Sequence, residues 1–409
     1  MFTLYHQEKQ KFPLKVWLKK PEELEEKCLD QALNLANLPF VHQWVALMPD
    51  THLGKGMPIG GVIALKDVVI PNAVGVDIGC GMAYVQTDLS AKVLKETLIK
   101  DEKLINLLVN DTLRNIPVGT MHHKHRQSCL ALDRAEESKL SFAPELFYTI
   151  ENGYYQVGTL GGGNHFIELQ EDEAGLLGIM IHSGSRNFGH EIGRYFNQIA
   201  KELSKSWDQI IPYEYNLPYL PFAHPAGQAY LAWMQLALDF ARENRHQMMQ
   251  KVMALLAKWV AQGAQLKVEF EEIIDCHHNY AALEEHYGEH VWVHRKGATR
   301  ACQGEIGIIP GAMGAASYLV KGKGNPESFC SSSHGAGRRY SRSGAMKQFE
   351  AKNVLEDLRK QGVILGKRSY KDVAEESRFA YKDIDQVLAD EVDLVQPLKR
   401  LKTLGVVKG

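Results

Sequence analysis

The sequence predicts a mixed α/β protein, and three features carry that reading. Short apolar runs at residues 45–48, 60–64, 179–181 and 291–293 each lead into polar or glycine-rich segments, the pattern of buried strands with side chains presented at their ends. Between such runs lie stretches with apolar residues at helical spacing. The longest is 226–262, where Leu231, Met234, Leu238, Met248, Val252 and Leu255 recur. The composition, 45% apolar and 23% charged over 409 residues, allows a sizeable core without disulfides.

In chain order, residues 12–17 alternate roughly at period two and read as a strand. Pro21 opens a helix with Glu22, Glu23, Glu25 and Glu26 in its early turns, where the helix dipole favours acids. Leu24, Cys28, Ala32 and Leu35 give that helix an apolar face, with Cys28 as core packing. Residues 60–64 and 68–71 are further short strands. Helices are expected over 90–115, 132–151, 190–207, 226–262, 344–361 and 383–391, and a final strand over 405–409. Residues 211–225, rich in Pro and Tyr, read as an ordered irregular connection. With no linker, repeat or low-complexity tract in view, residues 1–409 are expected to form a single domain.

The net charge of −2 excludes a bulk-basic nucleic-acid binder but leaves room for a local basic groove. Six cysteines (28, 80, 129, 276, 302 and 330) show no repeating spacing and read as reduced thiols. Residues 1–20 lack an apolar signal core, and no apolar run reaches membrane-span length, so the expected location is the cytoplasm.

The chain is organised around Val74-Gly75-Val76-Asp77-Ile78-Gly79-Cys80-Gly81-Met82. Asp77 and Cys80 are both metal ligands once deprotonated, and glycines let backbone approach a ligand closely. Alone, this stretch reads equally as a metal site or a buried turn. The same design recurs, however. Gly161-Gly162-Gly163-Asn164-His165 precedes an apolar strand, Ile181-His182-Ser183-Gly184 follows one, and Cys276-His277-His278-Asn279 ends another. Asp77, Cys80, His165, His182 and His278 therefore form a dispersed O, S and N donor set, unlike the tight spacing of a zinc finger. Five donors exceed one tetrahedral set; two ions sharing a bridging ligand would use them all, and paired ions suit phosphoryl chemistry.

Glycine loops at 161–163, 311–314 and 335–337 offer backbone donors to phosphates, although no Walker-type GxxxxGK[ST] is present. His334, in a glycine turn with Arg338 close behind, reads as a nucleophile or a general acid/base. The His-rich loop 122–126 has two open readings, a solvated surface loop or a phosphate-contacting edge of a nucleic-acid groove. His52, His277 and His294 either orient ligands or pack. Cys129, Cys302 and Cys330 read as packing thiols, with Cys330 close enough in sequence to His334 to line its pocket.

Taken together, these motifs resemble the RNA-splicing ligase RtcB family. The matching stretches are MPDTHLGKG (48–56), VGVDIGCGM (74–82), GTLGGGNHFIE (158–168), HSGSR (182–186), CHHNY (276–280), RKGA (295–298), IIPGAMGAASY (308–318), SHGAGR (333–338), YKDID (381–385) and VKG (407–409). They span nearly the whole chain in family order, and the ordered set is highly specific. The resemblance implies antiparallel sheets flanked by helices, with the active site in a central cleft. It implies a ligase that joins RNA 2′,3′-cyclic phosphate or 3′-phosphate ends to 5′-hydroxyl ends, using GTP and Mn2+. Asp77, Cys80, His165, His182 and His278 would then hold two Mn2+ ions, with Cys80 bridging, and Asp50 would support the site. His334 would take GMP from GTP as a phosphoramidate and pass it to the RNA 3′-phosphate. The guanylate pocket would comprise Asn164, His165, Phe166, Ile167, Glu168, His278, Asn279, Pro310, Gly311, Ala312, Met313, Ser317, His334, Gly335, Ala336, Gly337 and Lys408.

Ala312 departs from the pattern, standing where many relatives have Ser. The loop 122–126 and the run Arg186-Asn187-Phe188-Gly189-His190 match no firm pattern and bear on the choice of RNA, in tRNA splicing or RNA repair. A monomer is expected. Two other classes fit parts of the sequence. A metal-dependent RNA cyclic phosphoesterase would not need His334, Asn279 or Lys408. A non-catalytic RNA-binding partner would be expected to show eroded ligands.

Overall fold

Apolar runs and period-two segments assemble into two main sheets in the computed structural model, which describes residues 1–135, 140–206 and 211–409. The first sheet orders six strands as Phe2–Leu4, Leu14–Val16, Val41–Lys55, Met57–Leu65, Glu289–Lys296 and Asn279–His286. The second runs Ile274–His277, Gly81–Ser90, Leu176–Ser183, Phe166–Glu171, Val395–Lys408, Ala316–Gly322 and Ile306–Ile309, with Ile364–Gly366 added beside Val395–Lys408. Neighbours are antiparallel except Leu14–Val16 with Val41–Lys55 and Ile364–Gly366 with Val395–Lys408. This is the expected architecture of antiparallel sheets flanked by helices.

Register brings the candidate residues together. In the second sheet Gly81 pairs with both His277 and Ser183, His182 with Met82 and Phe166, and Phe166 with Lys408. Cys80, His165, His182, His278 and Lys408 thus lie along one end of five adjacent strands. His278 is the one residue between a strand of the second sheet and a strand of the first. Its backbone N–H donates to Cys80 O at 2.8 Å, which fixes that crossing. Within the first sheet, pairing of Val41–Lys55 with Met57–Leu65 shifts register between Leu47 and His52. Such an irregularity re-aims side chains, and Asp50 lies inside it, fully buried.

The helix Pro225–Ala264 spans two cores. Its first half packs Tyr230, Trp233 and Phe240 against Phe188 and Phe196 of Arg186–Ser206. Its second half packs Met248, Val252 and Leu256 against Ile179, Ile181 and the helix Leu104–Asn115. Between the halves sit Asn244 and Arg245, two polar residues with no solvent exposure.

Several expected elements are corrected. The helix expected over 90–115 is Ala91–Glu96, a hairpin of Leu98–Ile99 with Glu102–Lys103, then Leu104–Asn115. Lys100 and Asp101, at φ 48° and 63°, form its turn without the glycine that usually marks one. The stretch 132–151, which includes residues 136–139 outside the described ones, contains the short helix Leu130–Asp133, a 3-10 turn Pro144–Leu146 and Phe147–Gln156. Pro144 cannot sit inside a continuous helix without losing a hydrogen bond. The expected helix 344–361 breaks at extended Phe349 and Glu350 into Arg342–Gln348 and Ala351–Lys360. Pro21 opens only a 3-10 turn, and the helix proper is Glu26–Ala36. Of residues 68–71 only Val68–Val69 is strand, and Pro71 starts the short helix Pro71–Val74. The helix expected over 190–207 begins four residues earlier, at Arg186, and its last residue, 207, lies outside the described ones.

Candidate active site

At the strand ends of the second sheet, Cys80, His165 and His182 form a buried group whose donor atoms all lie within 4.8 Å of one another. Cys80 Sγ lies 3.4 Å from His165 Nε2 and 3.3 Å from His182 Nε2. Asp77 Oδ2 is 3.2 Å from His165 Nε2, and His278 Nε2 is 3.3 Å from His182 Nε2. Three of the five expected ligands thus form one group, and Asp77 and His278 flank it, each in contact with one of its members. Gly184 makes room there, since a Cβ on it would lie 2.4 Å from Asp77 Oδ1.

Protonation follows from the partners. His165 Nδ1 faces Leu160 O at 3.0 Å, and His182 Nδ1 faces Asn164 O at 3.1 Å. A carbonyl only accepts, so both rings carry hydrogen on Nδ1 and turn Nε2 toward the cluster. Burial, together with His165 and His334, pushes His182 well below the usual imidazole range. Burial, with His334 and His182, does the same to His278. Burial alone would raise the Asp77 carboxyl, yet the His165 contact and the imidazoles hold it down at about 2. Imidazole Nε2 atoms thus meet a carboxylate and a sulfur in one buried group. That donor set fits a divalent cation, and His278 Nδ1 has no hydrogen-bond partner among the described residues. Burial, with Asp77, pushes the Cys80 thiol up.

Beneath this cluster runs a polar strut that the sequence reading missed. The Arg245 guanidinium donates to Asp275 at 2.8 and 2.6 Å, to Gly79 O at 2.9 Å and to Ser183 O at 3.0 Å, and meets His277 Nδ1 at 3.2 Å. Asn244 donates to Gly184 O at 3.0 Å and to Ser183 Oγ at 3.2 Å, and accepts the Thr159 N–H at 3.0 Å. Each contact lies beside a segment that carries a candidate ligand. The only signal in the sequence is an Asn-Arg pair midway along an otherwise apolar-faced helix. His277 belongs to this strut, while His294 packs, accepting the Ile70 N–H at 3.0 Å.

His334 follows the strand Ser331–Ser333 and stands against the cluster, its ring centroid 4.8 Å from that of His278. Its Nδ1 meets Asp50 Oδ2 at 2.6 Å, and the same oxygen accepts its backbone N–H at 3.1 Å. A buried carboxylate on Nδ1 leaves the Nε2 lone pair for chemistry. His52, whose Nδ1 donates to Asp50 O at 2.9 Å, is pushed down to about 4 by burial. Gly337, at φ 72°, clears Asp50 O, which a Cβ would approach to 2.2 Å. Behind His334, Ser333 donates N–H and Oγ–H to Glu391 at 2.8 and 2.5 Å, and burial pushes Glu391 up to about 8.

A cavity of about 360 Å³ opens in front of His334. Among its lining residues are Asn164, Phe166, Pro310, Gly311, Ala312, Met313, Gly335, Ala336, Gly337 and Lys408. Ile167, Glu168 and Ser317 lie behind that wall. Ser317 Oγ accepts the Gly311 N–H at 3.2 Å, and Glu168 accepts from Gln170 at 2.7 Å and Thr403 at 3.0 Å. Burial pushes Glu168 up to about 7. Asn279 sits on the cation side, donating to Asp77 O at 3.1 Å and accepting the Gly297 N–H at 2.7 Å. Lys408 Nζ is held by Glu376 at 3.0 Å, which also pairs with Arg338, a clamp not foreseen from the sequence.

A second cavity, about 560 Å³, adjoins Asp77 and His165 and is also lined by His122, Arg186, His190 and Arg342. Of the His-rich loop, Met121 and His122 line this cavity, while Arg126 lies 3.7 Å over the Tyr154 ring. Cys330 is not among the residues lining the His334 cavity.

Fold and site together define a class of protein: an α/β scaffold holding a thiol–imidazole–carboxylate cluster beside a carboxylate-held histidine in a glycine-lined cavity. The chain belongs to the RtcB family, for residues 31–409 match the family model described as tRNA-splicing ligase RtcB. It is 40% identical to the "RNA-splicing ligase RtcB" of Escherichia coli (strain K12) over 97% of each chain. It is 32% identical to the "tRNA-splicing ligase RtcB" of Pyrobaculum aerophilum over 93% of this chain and 91% of that one. It is also 32% identical to "RNA-splicing ligase RtcB homolog 1" of Entamoeba histolytica, over 93% of this chain and 83% of that one. No helix among the described residues is long and apolar enough to cross a membrane.

Proposed function

We propose that this protein is a GTP-dependent RNA ligase that joins 2′,3′-cyclic phosphate or 3′-phosphate ends to 5′-hydroxyl ends. The observation that carries this reading is the 2.6 Å contact between Asp50 and His334 Nδ1, set against the donor cluster. A phosphoesterase that acts through cation-activated water alone would not need a histidine so prepared, with a glycine-lined cavity in front of it.

Asp77, Cys80, His165, His182 and His278 would hold two Mn2+ ions, with Cys80 shared. Such ions neutralise phosphate charge and align in-line attack. Asp50 fixes the His334 tautomer, so that Nε2 attacks the α-phosphorus of GTP. The N–P bond forms as the bond to pyrophosphate breaks. An oxygen of the RNA 3′-phosphate then attacks that phosphorus, freeing His334 and leaving RNA-3′-ppG. The 5′-hydroxyl attacks the RNA 3′-phosphorus, its proton is lost, and GMP departs. A cyclic phosphate is first opened by water to the 3′-phosphate. Asn164, Phe166, Glu168, Pro310, Gly311, Ala312, Met313, Ser317, Gly335, Ala336, Gly337 and Lys408 shape the guanylate pocket, and Asn279 ties the pocket to the cation side.

Residues 1–409 act as one domain and as a monomer in the cytoplasm, in tRNA splicing or RNA repair. The test is joining of a cyclic-phosphate RNA to a 5′-hydroxyl RNA with GTP and Mn2+. Joining by the protein and none by His334→Ala supports the reading. Opening of the cyclic phosphate by both, without joining by either, replaces it with a phosphoesterase.

A further inference from the structure

We propose that an exposed aromatic platform at the rim of the His334 cavity stacks unpaired bases of the RNA; this rests on the ligase reading. The loop that carries His334 continues through Gly337 to Arg339 and Tyr340. It is tied to a neighbouring segment, with the Arg339 and Tyr340 N–H groups donating to Ala380 O at 2.9 and 3.3 Å. That pairing brings the segments that carry Tyr340 and Phe379 together. Phe349 joins them, with its ring 5.6 Å from Tyr340 at 89° and 6.0 Å from Phe379 at 40°. Phe349 is half-buried and packs onto the core, whereas Tyr340 and Phe379 are 39% and 45% exposed. The Arg378 guanidinium lies over the Phe379 ring, 5.2 Å from its centroid, and the surface that both rings still leave in water costs free energy unless something covers it.

The chemistry around the rings selects the occupant. Arg339, Arg342 and Lys347 are exposed, and none has an ion-pair partner among the described residues. Arg338 and Arg378 are already engaged, by Glu376 and by Asp357 at 2.7 Å. Free cations interleaved with exposed aromatics match single-stranded nucleic acid, in which bases stack and phosphates seek positive charge. Position agrees. Tyr340 and Arg342 line the cavity in front of His334, and Arg342 also lines the cavity beside Asp77 and His165. A strand lying on the platform would have its end between the nucleophile and the donor cluster. Stacking needs no particular base, so the platform serves an enzyme that joins ends of varied sequence.

The test is the KM for RNA in steady-state joining, for wild type, Phe379→Ala, Tyr340→Ala and Phe379→Tyr. Each substrate is used intact and with abasic nucleotides next to the joined end. Loss of one stacked base is expected to raise KM about 5- to 100-fold in the alanine variants, with Phe379→Tyr restored toward wild type. Abasic RNA should raise the wild-type KM similarly and add little in the alanine variants. If wild type joins RNA and the alanine variants keep its KM, or if abasic RNA penalises all proteins equally, the platform is overturned while the ligase reading stands. If Phe379→Tyr is as impaired as Phe379→Ala, the residue is packing and the platform is likewise overturned. If wild type joins no RNA, the ligase reading itself falls.

Discussion

The two halves of the site are built on opposite plans. The donor cluster lies at the ends of one sheet's strands and is braced from below by a buried cation, Arg245, which grips the carbonyls of Gly79 and Ser183, beside Cys80 and His182. The His334 half takes Asp50 from the other main sheet and His334 from the end of Ser331–Ser333, a short strand paired with Ala298–Arg300, with Asp50 on the His334 ring and Glu391 on Ser333 behind it. The cluster is electron-rich and gains from a positive brace that holds backbone without competing for the donors. In the proposed reaction phosphorus bonding at Nε2 would place positive charge on the His334 ring, which the Asp50 carboxylate at Nδ1 would offset, while Glu391 serves Ser333 as a hydrogen-bond partner. His278, the single residue between the two sheets, joins the halves.

The largest effect should come from removing the proposed nucleophile. His334→Ala is expected to lower GTP-dependent joining on the order of 10⁴-fold or more while Mn2+ binding, measured by calorimetry, persists. His182→Ala should do the reverse, losing Mn2+ binding first and joining as a consequence. Asp50→Asn should cut guanylylation on the order of 10²- to 10⁴-fold, since an amide NH2 facing Nδ1 favours the wrong tautomer. Arg245→Lys keeps the charge but loses the planar fork. We expect about 10- to 100-fold weaker Mn2+ binding, with GTP affinity little changed.

How far the sequence could be read tracks the same division. The donor cluster was legible because each ligand borders an apolar run, with Gly, Ser or Asn close by. His334 was legible from its glycine turn. Arg245 was not, because a helix that buries residues all round gives no local sign of which polar group faces a carbonyl. The placement of Asp50 depends on a register shift that only pairing with Met57–Leu65 produces. The Lys100-Asp101 turn escaped notice because neither residue is glycine, and the break at Phe349 and Glu350 because neither is proline or glycine.

The smallest effect is one of pH. Glu391 is pushed up to about 8 by burial, so the folded protein holds a proton there that the unfolded chain releases near the ordinary carboxyl value of 4.5. Its contribution to stability is therefore greatest at low pH and is lost as pH rises through the window from about 4.5 to 8. Glu391→Gln should flatten that decline by up to about 1.4 kcal/mol per pH unit in denaturant unfolding. An unchanged slope would remove Glu391 from the account of the site behind His334.

The most direct measurement of the central claim is transfer of label from α-labelled GTP to the protein in the presence of Mn2+. The account predicts an acid-labile, alkali-stable adduct on wild type, none on His334→Ala, and none on wild type stripped of divalent cation. Full labelling of His334→Ala, or joining of RNA by a wild type that never takes up label, would contradict it.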